Sequence, residues 1–205
     1  IGTRAVEETD GIPTNNETVL HSLRVYAFVD GQPAGHFYTK DGLDVNNPSF
    51  LMHLTMYSTM TQKVDFYVVA NEAAMETPGS SVLLTENTTE TQLNHFTFTK
   101  LNTSKGLPMF CKQTETIDLT QLSDKTPADP GHAGHTLLRQ DLTFELKRPI
   151  GKLGVFAAKP VGENSSLRVT GLTVLASGTR TRNYLMPQTD ETLKAITGIT
   201  GDISL

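Results

Sequence analysis

Apolar positions along this chain recur with a period of two far more often than with a helical period. The first strong run, Leu23-Arg24-Val25-Tyr26-Ala27-Phe28-Val29, is β-branched and aromatic and reads as a strand. Asp30-Gly31 closes it with a hairpin turn signal, and His36-Phe37-Tyr38-Thr39 supplies the returning partner. After the break at Asn46-Asn47-Pro48, Phe50, Met52, Leu54 and Met56 alternate with Leu51, His53, Thr55 and Tyr57, which predicts a second hydrophobic-in, polar-out strand. Val64 to Ala70 follows as another, with Val64, Phe66, Val68 and Ala70 on one face. Glu115 to Thr120 gives a short strand. The cleanest alternation sets Leu142, Phe144 and Leu146 against Thr143, Glu145 and Lys147. Leu153 to Ala158 is apolar on both faces, as a central strand requires, and Leu167 to Leu175 makes a last long strand with Gly171 as the place for a bulge.

Helical signals are few. Thr89-Glu90-Thr91-Gln92 has the form of a capping box, in which the cap hydroxyl and the Gln92 side chain satisfy each other's orphan amides, and Leu93 and Phe96 then share a helical face. A further helical turn fits Thr192 to Ile196. About eight short strands divided by turn signals, with little helix, define an all-β chain built as a β-sandwich of about seven to eight strands with one or two short helices. No strand–helix rhythm supports a doubly wound sheet. Residues 1–18 are polar and rich in turn formers, an arm with one short strand near Ala5-Val6. Residues 19–177 form the sandwich, with a loop over 121–136 where Pro127, Pro130, Gly131 and Gly134 cluster. Residues 178–205 are a polar tail or the start of a missing second domain.

Composition narrows the function classes. With 205 residues, 37% of them apolar, the chain can bury one substantial core, and a net charge of −5 is too small for wholesale disorder. Lys and Arg number 17 against 22 Asp and Glu, with no concentrated basic stretch, so nucleic acid is excluded as a partner. Arg180-Thr181-Arg182 reads as a solvated loop. One cysteine, Cys111, cannot form an internal disulfide, and no apolar run is long enough for a membrane span. A chain that begins at Ile1 rather than Met leads to the expectation that an upstream segment was removed.

Catalytic constellations are missing from the pattern. There is no G-x-S-x-G elbow, and Gly151-Lys152-Leu153-Gly154 lacks the spacing and the hydroxyl of a phosphate loop. His132 and His135 could share a metal only with further ligands and a supporting shell, so two solvated loop histidines are the plainer reading. His21, His36, His53 and His95 sit in or beside apolar runs and read as core or edge histidines. Cys111 follows Pro108-Met109-Phe110 and reads as a buried, inert thiol rather than a catalytic one, although Lys112 is adjacent. Glu86 and Glu90 form a carboxylate pair that nothing in sequence places in a cleft. Sequons at Asn16, Asn87, Asn102 and Asn164 fall in loops or near strand ends. The expectation is a protein that is not an enzyme, with no catalytic, cofactor-binding or metal residues.

Four segments, in order, resemble the N-terminal domain of fimbrillins, the type V pilus subunits of Bacteroidales. They are Leu23 to Gly31, Val64-Asp65-Phe66-Tyr67-Val68-Val69-Ala70-Asn71, Gly106-Leu107-Pro108-Met109-Phe110, and Leu146-Lys147-Arg148-Pro149-Ile150-Gly151-Lys152-Leu153-Gly154-Val155. The last is similar to the family's Leu-x-Arg-x-x-Ala-Lys strand pair, with Gly151 in place of the common Ala. The resemblance implies a transthyretin-like, Greek-key sandwich in a fimbrium at the outer membrane. It implies a lipoprotein precursor exported through the periplasm, membrane contact only through a lipid anchor later removed, and cutting by a trypsin-like protease after an Arg near the N-terminus. Gly2-Thr3-Arg4-Ala5 looks like that cleavage site, with Arg4 before the cut and Ala5 after it. Loss of the first strand would open a groove that a strand from a neighbouring subunit fills, and a host ligand is a further expected partner. Two departures stand out. Family members usually carry a second sandwich domain that supplies the assembly strand, whereas only about thirty residues follow the last strand here, fewer than a domain needs. No lipoprotein Cys lies near Ile1, which fits a chain trimmed upstream. The alternative is a secreted β-sandwich that binds a ligand, as a glycan or host-protein adhesin module.

Overall fold

In a computed structural model of the chain, the residues described are 19–40, 43, 49–58, 60–77, 84–120, 140–150, 173–176, 182–189 and 201–204. Their centre is a four-stranded antiparallel sheet. It is built from β1 (Leu23–Val29), β2 (Gln32–Thr39), β3 (Thr61–Ala70) and a later long strand, Met109–Asp118, in the spatial order β2, β1, β3, then that strand. Between β3 and the fourth strand lie β4 (Met75–Glu76), a single-turn helix α1 (Glu90–Asn94), β5 (Thr97–Phe98) and β6 (Lys100–Leu101), so Met109–Asp118 is β7. Two 3-10 turns, Glu72–Ala74 and Thr103–Lys105, and the strands β8 (Thr173–Ala176), β9 (Asn183–Tyr184) and β10 (Gly201–Ser204) complete the described elements. β4 pairs with β6, β5 with β9, and β8 with β10, all antiparallel. The all-β class read from the sequence is what the fold displays.

The β1–β2 hairpin turns on Asp30 and Gly31, both at positive φ (48° and 76°), between the paired residues Val29 and Gln32. That is the backbone a two-residue primed turn needs, and the Asp-Gly pair tolerates it. Past the turn the ladder shifts register at Ala27/Phe28 and then runs to Leu23↔Thr39. The capping box is present: Thr89 accepts from the Gln92 amide, the Gln92 side chain accepts from the Thr89 amide at 2.8 Å, and Leu93 is buried.

All seven residues of β1 are buried, because the sheet is covered on both faces. On the first face Val25, Ala27, Val64, Phe66 and Val68 form a core against which Phe37, Phe50, Met52, Leu54, Leu142, Phe144 and Leu146 pack. On the second face Tyr26, Phe28, Tyr67 and Val69 meet Leu84, Leu93, Phe98, Leu185 and Met186. Residues 182–189, polar by composition, thus return to the core through two fully buried side chains.

Three sequence expectations change in detail. Residues 50–56 and 142–146 do turn their alternate apolar side chains inward, but neither is a ladder strand. Among the described residues one backbone bond, Thr55 N–H to Ala34 O at 2.6 Å, ties the first to β2, and a single bridge, Phe110↔Lys147, ties the second to β7. β7 is also far longer than the Glu115–Thr120 strand expected, since Met109 to Thr114 pair with β3 as well. The regions 1–18, 121–136 and 153–158, and the turn at Thr192 to Ile196, lie outside the described residues, as does the first part of the strand expected over Leu167 to Leu175.

Candidate functional site

Two sheet margins and the end of the sheet where β1 begins carry the features of interest. β1 starts at Leu23, opposite Ala70 at the end of β3, and Ala70 is opposite Met109 at the start of β7. Asn71 follows Ala70 with φ 55° and ψ 41°, a left-handed backbone that asparagine tolerates better than most residues. Its side chain is buried and fully used. Oδ1 accepts from the His21 amide at 2.7 Å, and from that of Ser22 at 3.4 Å. Nδ2 donates to Val19 O and Leu107 O, both at 2.9 Å. The Asn71 amide itself donates to Ser22 O at 3.0 Å. One side chain therefore fastens the chain entering β1 to the end of β3 and to the loop before β7. Gly106 makes room for it: at φ +85°, a Cβ there would lie 2.6 Å from Asn71 Nδ2.

The described parts of the four segments that resemble fimbrillins are neighbours in the sheet, with the Asp30–Gly31 turn at the far end of β1 from Asn71. β1 and the Asp30–Gly31 turn, β3 with Asn71, and Gly106 to Phe110 are joined by ladder and side chain, and Lys147 exchanges both backbone bonds with Phe110 at 2.7 and 2.8 Å.

At the β2 margin, residues 50–57 run antiparallel to β2. Phe50 stacks on Phe37 with centroids 4.6 Å apart, Thr55 bonds Ala34, and the Tyr57 hydroxyl donates to Pro33 O at 2.6 Å. The approach is close enough that a Cβ on Gly35 would stand 2.8 Å from His53 O. Leu51, Tyr57 and Met60 stay exposed. At the β7 margin, residues 143–147 lie alongside Phe110 to Gln113: the Gln113 side chain donates from Nε2 to Thr143 O at 3.3 Å, and Phe144 packs on Phe66 at 5.3 Å. Because Phe110 turns both its amide and carbonyl outward to Lys147, alternation along the strand turns those of Lys112, Thr114 and Thr116 outward too. Among the described residues those groups have no backbone partner on that side.

The second face holds two polar clusters. Arg24, inside the apolar run of β1, forks onto Glu72 (Nε to Oε2 2.6 Å, NH2 to Oε1 2.8 Å) under the ring of Tyr38 at 3.9 Å. Burial works against the Arg24 charge, but the hydrogen bonds and charge of Glu72 hold its pKa above the ordinary arginine value. Further along, the buried Tyr67 donates its hydroxyl to Glu90 at 2.8 Å and accepts from Asn94 at 3.1 Å, and Lys112 lies 4.9 Å over its ring. Burial, then the bond to Glu90, raises the Tyr67 hydroxyl well above a tyrosine's usual range. Both clusters are satisfied internally and serve to dock the turn after β3 and helix α1 on the sheet.

Of the residues weighed for chemistry, Arg4, Ala5, His132, His135, Asn16 and Asn164 lie outside the described residues. Cys111 is buried on β7, and burial pushes its thiol pKa up, away from the thiolate. His36 is a half-buried edge residue, while His21, His53 and His95 are exposed rather than in the core. Glu86 is exposed in the loop before α1, apart from the Tyr67 bond that holds Glu90. Asn87 is exposed, whereas Asn102 is half-buried and bonds Glu76 at 3.1 Å. Among the described residues no group of three or more His, Cys, Asp or Glu could hold a metal, and no helix is long and apolar enough to cross a membrane. Asn71, named only as the end of a fimbrillin-like strand, and Arg24, named only within an apolar run, were given no role from the sequence. An Asn closing an apolar run and an Arg interrupting one were the available signals.

The fold places the chain in the antiparallel all-β class. No protein-family profile matches it, and no curated protein matches it. Among solved structures it is similar to a fimbrial assembly protein from Parabacteroides distasonis, at 19% identity and a TM-score of 0.46, over 95% of this chain and 68% of that one.

Proposed function

We propose that the chain is a structural subunit of a cell-surface pilus that assembles by strand exchange after an N-terminal strand is removed between Arg4 and Ala5. The observation that carries this reading is the incomplete pairing of residues 50–56 and 142–146. Each lies extended over the first core with its apolar residues inward, and among the described residues the first is tied to the sheet by the Thr55 bond to Ala34 and the second, just past its end, by the two bonds between Lys147 and Phe110. An extended segment that is not part of a ladder is a place where a further strand can pair beside apolar side chains. A strand from another subunit pairs there, its backbone giving affinity and its alternate side chains giving register. Asn71, which ends the second fimbrillin-like segment, fastens it to the third at Leu107 and to the chain entering the first at Val19 and His21, and this supports the same reading. On it the protein is not an enzyme. It reaches the outer membrane through the periplasm as a lipoprotein precursor, is processed by a trypsin-like protease, and meets neighbouring subunits and a host ligand. Residues 1–18 are the removable arm, 19–177 the sandwich, and 178–205 a tail or the opening of a second domain.

The test is to treat a longer precursor with a trypsin-like protease and follow it by mass spectrometry and light scattering. A cut after Arg4, lost in Arg4→Gln, followed by oligomers when a C-terminal strand is supplied, is expected. Failure of both cut and oligomer overturns the proposal. The exposed rings of Tyr38 (41%) and Tyr57 (58%) favour a second reading, a ligand-binding adhesin module. Sharp binding of the isolated chain on a glycan array, with loss in Tyr57→Ala, would establish it instead.

A further inference from the structure

β2 is the outer strand of the main sheet, and its hold on β1 includes a contact that a proton can break. The Arg24 guanidinium spends Nε and NH2 on Glu72, and its remaining arm, NH1, lies 3.0 Å from Nε2 of His36 on β2. A guanidinium carries donors only and stays charged in proteins. The contact therefore requires a lone pair on Nε2, and the neutral ring keeps its proton on Nδ1. Protonating Nε2 would set two N–H donors and two positive charges against each other at hydrogen-bond distance. The ring cannot yield inward, because Tyr26 packs against it with centroids 5.1 Å apart.

The surroundings fix the direction of the effect. Facing His36 are Arg24 and Tyr26 from β1, Tyr38 from β2 across Arg24, Glu72 from the turn after β3, and Glu86 from the loop before α1. Burial and then the Arg24 charge depress the His36 pKa below 6.5, and Glu86 and Glu72 do not reverse it. A histidine whose folded pKa is lowered leaves the hairpin at full strength above its unfolded value. That strength is lost as pH falls from about 6.5 towards the folded value.

We propose that the His36–Arg24 contact is a proton-sensitive latch that holds edge strand β2 on β1 at neutral pH and releases it in mild acid, leaving β1, β3 and β7 paired. β2 is the strand suited to release. Its ladder is shifted at Ala27/Phe28, Pro33 has no amide to give, and among the described residues one backbone bond holds its outer side. β3 and β7 share ten residue pairs, Thr61↔Asp118 to Ala70↔Met109. The latch does not depend on the assembly reading, and it can fail without touching it.

The experiment is NMR on the whole chain. Long-range nitrogen–proton spectra read the His36 tautomer and its titration, and amide exchange, corrected for intrinsic rates, is compared at about pH 7.5 and about pH 5. The expected result is a proton on Nδ1 at neutral pH and a midpoint below 6.5. Protection of the β2 amides should fall at least about tenfold relative to β3 and β7. In His36→Gln, whose Oε1 can accept from Arg24 at every pH, that fall should vanish. A proton on Nε2 at neutral pH, a midpoint at or above 6.5, an equal fall across all four strands, or a β2 fall that persists in His36→Gln each overturns the latch. If that variant does not fold, the tautomer and the exchange of the unaltered chain decide.

Discussion

Replacing Asn71 tests the account of how this sheet is closed at one end. Asn71→Ala removes an acceptor 2.7 Å from the His21 amide and donors 2.9 Å from Val19 O and Leu107 O. The contact to the Ser22 amide, at 3.4 Å, is long enough to neglect. Three good hydrogen bonds at about 1 kcal/mol each come to about 3 kcal/mol. Alanine must also hold φ 55°, where its Cβ crowds the following carbonyl, at a further cost of about 1 kcal/mol. The total is about 4 kcal/mol, a large share of the roughly 5–15 kcal/mol that folds a typical domain. Asn71→Gly loses the same bonds without the backbone strain and should cost about 3 kcal/mol. Urea unfolding followed by circular dichroism and tyrosine fluorescence gives both values. The melting temperature of the alanine variant should fall by roughly 8–16 °C. If both variants lose less than about 1 kcal/mol, or glycine proves worse than alanine, Asn71 is not the fastening described.

Gly106→Ala should destabilise by about 1–3 kcal/mol in the same assay, since its backbone is one that essentially only glycine adopts and its Cβ would strike Asn71 Nδ2. The cost should shrink when Asn71 is already alanine, because the two residues are in contact. Leu54→Ala, on the inward side of its extended segment, should cost about 1–2 kcal/mol, and Leu51→Ala, on the outward side, less than about 0.5 kcal/mol. Equal costs would mean that the facing of residues 50–56 is wrong. Cys111, buried and with its thiol pKa raised by burial, should resist thiol reagents near pH 8 in the folded chain and react at once in denaturant.

Side-chain facing was legible in the sequence, and backbone pairing was not. The alternation of Phe50, Met52 and Leu54, and of Leu142, Phe144 and Leu146, states which side of an extended chain meets the core. A period of two follows from the extended backbone alone and says nothing of whether a ladder forms beside it. β7 was half hidden for the opposite reason. It pairs fully with β3, but Lys112, Thr114 and Thr116 are exposed and Gln113 and Glu115 half-buried, so its middle shows no apolar rhythm. The hairpin turn and the capping box were readable because each is complete within four residues. The fastening at Asn71 and the Arg24–Glu72 pair were not. Their partners lie 36 to 52 residues away, and one sequence carries no sign of which polar side chains will meet.

The position of Asn71 also decides how the sheet would answer a mechanical pull. Leu23 lies at one end of the sheet, and Asp118, opposite Thr61, lies at the other. Tension entering at Val19 and resisted at Asp118 runs parallel to the strands. It loads the six pairs of β1 with β3 and the ten of β3 with β7 in shear, so many bonds must fail together instead of opening one by one. Before that load reaches β1 it meets Asn71, whose Nδ2 grips the carbonyls of Val19 and Leu107 alike and so spreads the pull onto β3 and β7 from the first ångström of extension.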